Sequence, residues 1–332
     1  MRLILSVLAG LFCVAATTPP PAVLQPYIRE GRFEPGDHGW MKGRFDDASP
    51  ADKAAFGGID RWLKACLAAD RTDARAKLRA MGFADPRLES TGYADPLCAS
   101  VSSMPLGMDR RSFVRFAQAV AVARPIADTY LAAVRTAEEA GGPRSPKLAD
   151  ALLARPLAEQ MLRFALGWGE GVMKDAPPLA PDVKAVVVAR LGIALVERDR
   201  ANTRWLKEIV AERGWPRISE VGEPASAQAW LLVQHADADP AFQLETLRLM
   251  EPLAKTGEVS RRNHAYLHDR VMLKLTGKQR YATQLTCEKG RRVPLPLDDE
   301  RAMPGRRAEA GLEPLAAYLA QMRELAGDCP PG

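Results

Sequence analysis

The stretch from Asp182 to Gly214, DVKAVVVARLGIALVERDRANTRWLKEIVAERG, constrains this chain more than any other. Its apolar residues recur every three or four positions, which is the period of a helix, and Gly214 supplies the stop. The pattern predicts a long helical segment with an interruption near Asn202. Elsewhere Ala and Leu abound while aromatics make up 6% of the residues, a balance that favours helices over a β-sandwich. Ser49-Pro50 is a capping residue followed by a first-turn proline, and Phe56, Ile59, Leu63 and Cys66 then fall on one face. Further helices are expected over 110–140 and 146–168, separated by GGPRSP, and from Pro224, from Asp239-Pro240, over 260–276, and from Pro304 to Leu325. Pro252 is expected to kink or end the helix that contains it.

Two other segments stand out. Residues 23–48 lack a helical period but carry Tyr27, Phe33, Trp40 and Phe45, which predicts an ordered, extended segment with buried rings. QRYATQLTCEKGRRVPLPL reads as two short strands around Glu288-Lys289-Gly290. DAPPLAP at 175–181 is the candidate domain boundary. The expected fold is mainly α, with two helical domains over 23–174 and 182–326 and one small β-hairpin in the second.

Arg2, the apolar run LILSVLAGLFCV and the small pair Ala15-Ala16 form a signal-peptide pattern over 1–16. The run is too short to span a bilayer comfortably, and no other stretch is long and apolar enough. Phe12 stands before Cys13 where lipoprotein processing wants a small residue, which argues against lipid attachment. A periplasmic or secreted protein is expected. Export leaves Cys66, Cys98, Cys287 and Cys329, an even number that points to two disulfides in an oxidising compartment. Three pairings are open, and Cys66–Cys98 with Cys287–Cys329 keeps each bridge within one half. The net charge of +5 is modest and no basic block is interleaved with aromatics, so nucleic acid is not an expected partner.

Motif chemistry is sparse. The chain has no Gly-x-Ser-x-Gly elbow, no Walker loop and no dinucleotide glycine fingerprint. GWGEG at 167–171 reads as a turn. His264 and His268 lie four apart, but a zinc-protease helix would carry Glu where Ala265 stands, so both are expected to be exposed helix residues. No metal or cofactor is called for. The most informative segment is AWLLVQHADADPAFQ, 229–243. His235 falls in the last turn of a helix begun at Pro224, and Asp239 is explained as the cap of the next helix. Gln234 and Asp237 have no comparably simple structural role.

Several landmarks carry a family resemblance: Asn202-Thr203, Trp205-Leu206-Lys207, Gly214-Trp215-Pro216, Val221-Gly222, Trp230 to Asp237, Gln243, Asp269-Arg270, Gln279, Tyr281 to Gln284, Arg306-Arg307-Ala308 and Gly311-Leu312. In this order they make residues 202–322 resemble an uncharacterised bacterial family, a domain of unknown function. Ala282 departs from it, standing where that family usually has glycine in Tyr-Gly-Thr-Gln, and the segment before Arg306 lacks the usual Val-Asp-x-Arg-Arg. The resemblance implies a shared fold and a shared site but no reaction.

The polar landmarks gather at Gln234-His235, at Asp269-Arg270 and along Gln279 to Gln284. On a strand Gln279, Tyr281 and Thr283 would share one face. Were that face to meet the end of the His235 helix, His235 would serve as general acid or base, oriented by Asp269 or Asp237. Arg270 would then hold an anionic group, and Gln234, Gln279, Tyr281, Thr283 and Gln284 would bind the remainder. The competing reading is a buried hydrogen-bond network, with Asp269 paired to Arg306 or Arg307. Three functions follow: a binding or scaffolding protein of the cell envelope, the one preferred on sequence; a metal-independent enzyme, such as a hydrolase, centred on His235; or an inhibitor or chaperone-like partner of another exported protein. The expected partners are such a protein or a small polar ligand.

Overall fold

The computed structural model of the protein describes residues 18–88, 91–169 and 178–329. The predicted leader, and residues 175–177 of the predicted boundary, lie outside them. A short hairpin, β1 (Ile28–Arg29) and β2 (Arg32–Phe33), precedes α1 (Pro50–Ala80), α2 (Pro96–Ser102), α3 (Phe113–Ala140), α4 (Leu148–Ala154) and α5 (Leu157–Gly169). The long helix α6 (Pro181–Arg213) leads into α7 (Ile218–Val221), α8 (Glu223–Gln234), α9 (Pro240–Thr256) and α10 (Arg261–Thr276). A second hairpin, β3 (Leu285–Glu288) and β4 (Arg291–Pro294), is followed by α11 (Met303–Glu309) and α12 (Leu315–Ala326). The molecule is mainly α with two small hairpins.

The predicted caps are in place. Ser49 accepts from the Asp52 N–H at 3.1 Å and Asp239 from the Phe242 N–H at 3.0 Å, each with proline at the first helical position. The second hairpin turns at Lys289-Gly290, both at positive φ, with Leu285 opposite Pro294 and Glu288 opposite Arg291. The hairpin at Glu30-Gly31 was not expected, although its turn has the same two-residue, positive-φ form. Around it the segment 23–48 is ordered, with Phe33, Trp40 and Phe45 buried and two 3-10 helices where extended chain was expected.

Other expectations need correction. α6 runs unbroken through Asn202, because that side chain bonds to groups on neighbouring helices and does not compete for its own backbone. Pro252 sits inside α9, which continues to Thr256. The last predicted helix is two, parted at Gly311, whose φ is 70°, and at Pro314. Residues 167–169 of GWGEG belong to α5 and form no turn.

Two apolar cores result. One gathers Phe56, Ile59 and Leu63 of α1, Phe116 and Val120 of α3, and Val186, Val187 and Leu191 of α6. The other gathers Leu232 and Val233 of α8, Phe242 and Leu247 of α9, and Leu267 and Val271 of α10, together with Leu206 and Val210 of α6. Each such side chain contributes about 1.5–3 kcal/mol by leaving water. α6 therefore belongs to both cores, as does α1 through Leu78. Disulfides join Cys66 on α1 to Cys98 on α2, and Cys287 on β3 to Cys329 beyond α12. No helix among the described residues is long and apolar enough to cross a membrane.

Candidate active site at the corner between α8 and α9

Trp230, Leu232 and Val233 hold α8 against the second core, and the helix ends when His235 takes the C-cap position. The His235 backbone N–H still donates to the Leu231 carbonyl, which fixes the ring at the corner. Nδ1 of the ring meets Oε1 of Glu159, a residue of α5 with no exposed surface. The carboxylate is held from two other directions. Asn202 of α6 donates Nδ2 to its Oε2 at 2.7 Å, and Arg163, one turn along α5, donates Nε to Oε1 at 3.2 Å. Arg155 orients Asn202 in turn, donating Nε to Oδ1 at 2.9 Å while its guanidinium lies 5.0 Å over the Trp205 ring.

This surrounding fixes the charges. Burial alone would push Glu159 up, but the His235 bond, Arg163 and Asn202 outweigh it and hold the carboxyl ionised below its usual range. Burial also pushes His235 down, more than its contact with Glu159 raises it, so the imidazole is neutral at neutral pH. An ionised carboxylate beside a neutral ring accepts Nδ1–H, which leaves the lone pair on Nε2. That is the protonation state a general base requires.

A second carboxyl stands close by. Asp199 of α6 receives Arg163 Nη2 at 2.6 Å, so one guanidinium clamps Glu159 and Asp199 together. Burial, with the nearby Glu159 charge, pushes Asp199 up to about 7 against the pull of Arg163. Its Oδ1 is buried and has no hydrogen-bond partner among the described residues. A carboxyl that keeps its proton near neutrality is able to act as an acid.

His235 and Asp199 both line a cavity of about 500 Å³. Its walls come from the first hairpin, α1, α2, α6 and the start of α9. Glu159, Asn202 and Arg163 stand behind, outside the lining. His235 and Asp199 thus border one space of metabolite size, with Glu159, Asn202 and Arg163 on its buried side.

The other predicted site residues sit elsewhere. Asp269 makes no bond to His235. Its buried carboxylate collects the backbone N–H groups of Arg280 at 2.8 Å, Tyr281 at 3.0 Å and Thr283 at 3.0 Å, and the Thr283 hydroxyl at 3.0 Å. Gln279 closes the same loop, donating to the carbonyls of Gln284 and Leu295 and accepting from the Gln284 N–H. Tyr281 and Thr283 therefore lie in a loop nucleated by Asp269, where a strand was expected. None of Gln279, Tyr281, Thr283 or Gln284 lines the cavity. Arg307 supports the loop through the Tyr281 carbonyl at 2.6 Å and does not pair with Asp269.

Asp237 does not orient His235 either. It lies half-buried between Arg270, whose Nε reaches Oδ1 at 2.9 Å, and Lys274, and these cations hold it well below the usual carboxylate range against the effect of desolvation. Gln243 completes the group, accepting from Lys274 at 2.8 Å and donating to the Val233 and Gln234 carbonyls at 3.0 and 3.1 Å. Arg270 is thus paired within the protein. The Gln234 side-chain carbonyl is buried without a partner among the described residues. His264 and His268 are partly buried where exposure was expected, because His268 packs edge-on to Tyr281 with centroids 5.5 Å apart.

Of this cluster only His235 was expected as a site residue; Glu159, Arg163 and Asp199 did not stand out in the sequence. The available signal was spacing: Glu159 and Arg163 lie one turn apart in an apolar helix, as do Asp199 and Asn202. The chain belongs to a family of unknown function, DUF6624, whose model matches residues 147–328. That match begins ahead of Glu159 and takes in every member of the pair and its supports. No curated protein and no solved structure matches the chain.

Proposed function

We propose that this protein is an enzyme that works by general acid–base chemistry on a small polar ligand in the cell envelope. His235 draws a proton through Nε2 from water or a hydroxyl, Glu159 steadies the imidazolium that forms, and Asp199 returns a proton to the departing group. Transfer of an acyl, glycosyl or phosphoryl group to water fits this pair, so hydrolysis is the reaction class. The export pattern at the N-terminus and the two disulfides support an envelope location. The observation that carries the reading is the Glu159–His235 pair, buried on one side and open on the other to a cavity shared with Asp199. Incubating a small-molecule cell extract with wild-type protein and with His235→Asn tests it by mass spectrometry. Compounds consumed by the wild type alone are the expected result; an extract left unchanged by both overturns it.

A second reading, a non-enzymatic binding protein of the envelope, draws on the cavity's charged wall. Lys77 pairs with Asp73 at 2.7 Å and Lys207 with Asp239 at 2.5 Å, an ordered polar surface that serves recognition without turnover. A ligand that is retained and recovered unchanged distinguishes this reading from the first.

A further inference from the structure

We infer that the ligand of this cavity carries an anionic group, a phosphate or a carboxylate, and that Arg204 and Arg32 hold it. The inference rests on the acid–base reading only for the fate of the ligand; the argument for the anion is separate. Most cations on the wall are already committed. Lys77 and Lys207 have the carboxylate partners just described, and Arg198 pairs with Glu138 at 2.7 Å. Arg200 donates to the main-chain carbonyls of Tyr93, at 3.2 Å, and Ala94. The side chains of Arg204 on α6 and Arg32 on the first hairpin line the same cavity with no hydrogen bond or ion pair among the described residues.

Two further features point the same way. Arg200 and Arg204 stand one helical turn apart, and like charges at that spacing repel. Burial lowers Arg200 from its ordinary value and the Arg204 charge lowers it further, while Asp95 and Asp70 pull it back. A bound anion relieves that repulsion. The wall's carboxylates, by contrast, are mostly engaged: Asp70 accepts the Ala94 N–H at 2.7 Å, and Asp73, Asp199 and Asp239 hold cations. Glu197 is the lining carboxylate without a partner among the described residues, so two free guanidinium groups face one free carboxylate. Phe33, Leu97 and Pro240 add an apolar surface for the rest of the ligand.

Titration calorimetry of the full chain with inorganic phosphate and with acetate tests the inference, using wild type, Arg204→Ala, Arg204→Lys, Arg32→Ala, the double alanine variant and His235→Asn. Phosphate or acetate binding that weakens about tenfold in Arg204→Ala, is partly restored in Arg204→Lys and fades with added salt is the expected result. The preferred probe tells a phosphate-bearing ligand from a carboxylate-bearing one. Arg204 is exposed, so its variants fold. Wild-type affinity in the double alanine variant, or binding of neither anion by the wild type, overturns the inference. His235→Asn is expected to bind the anion as the wild type does. Loss of turnover in that variant with unchanged anion binding in the arginine variants sinks the anion site alone. Arginine-dependent binding with full turnover in His235→Asn sinks the acid–base reading alone.

Discussion

Nδ1 of His235 reaches Oε1 of Glu159 across 76 positions of sequence, and the carboxylate it finds is fully buried while the ring is not. Replacing Glu159 with Gln keeps the shape but exchanges a carboxylate that can only accept Nδ1–H for a neutral amide that can also donate. Turnover of any compound consumed through His235 is expected to fall about 10²–10⁴-fold. The imidazole nitrogen resonances report the tautomer directly, and a wild-type ring protonated on Nε2 alone would contradict the assignment.

Asp199 gives a stability prediction of unusual sign. It keeps its proton up to about 7 in the fold and loses it near 3.8 when unfolded. Between those values the unfolded chain has released a proton that the folded protein retains, so Asp199 lowers stability as pH rises through the window. Asp199→Asn removes the slope, keeps a bond to Arg163, and is expected to stabilise the protein at about pH 8 by roughly 1–3 kcal/mol while reducing turnover. Urea denaturation at about pH 5 and about pH 8 measures it. A variant less stable at the higher pH refutes the claim.

Asp269→Asn is expected to cost about 2–4 kcal/mol, because one amide oxygen cannot replace a carboxylate that serves three backbone N–H groups and a hydroxyl. The ionisation of His235 is expected to stay unchanged, since the two groups belong to separate networks. Denaturant melts read the first effect and ring resonances the second. A shifted His235 titration would join what the structure keeps apart.

Asp237→Ala strands Lys274, whose side chain is 7% exposed and already lowered by burial. A loss of about 3–5 kcal/mol is expected, and the double change Asp237→Ala with Lys274→Met recovers much of it. Chemical denaturation of both variants checks the pair. Equal losses in the single and double variants would show that the ion pair is not the cause.

The sequence exposed what is local. Capping residues, first-turn prolines and a two-residue turn each act within four positions, so Ser49-Pro50, Asp239-Pro240 and Lys289-Gly290 were legible. His235 stood out because a polar run ended an apolar helix. Its partner did not, because the one-turn spacing of Glu159 and Arg163 is equally that of a solvated ion pair and does not say which distant side chain the carboxylate meets. Asp269 misled for the same reason: its place in the sequence says nothing of which backbone amides fold over it. Ala282 is the converse case. Its departure from the family's usual glycine was visible, and the structure gives its meaning: a φ of 55° in a fully buried loop residue.

A rod that is packed into two cores cannot melt at one end in private. Val186 and Leu191 near the start of α6, and Leu206 and Val210 near its end, tie the fates of the two apolar clusters together. Glu159's clamp from Asn202 and the acid at Asp199 ride on the stretch between them. The geometry of the candidate site is thereby slaved to global cooperativity. Amide exchange through the middle of that helix is expected to be as slow as complete unfolding, and a fragment cut ahead of Pro181 inherits neither core whole.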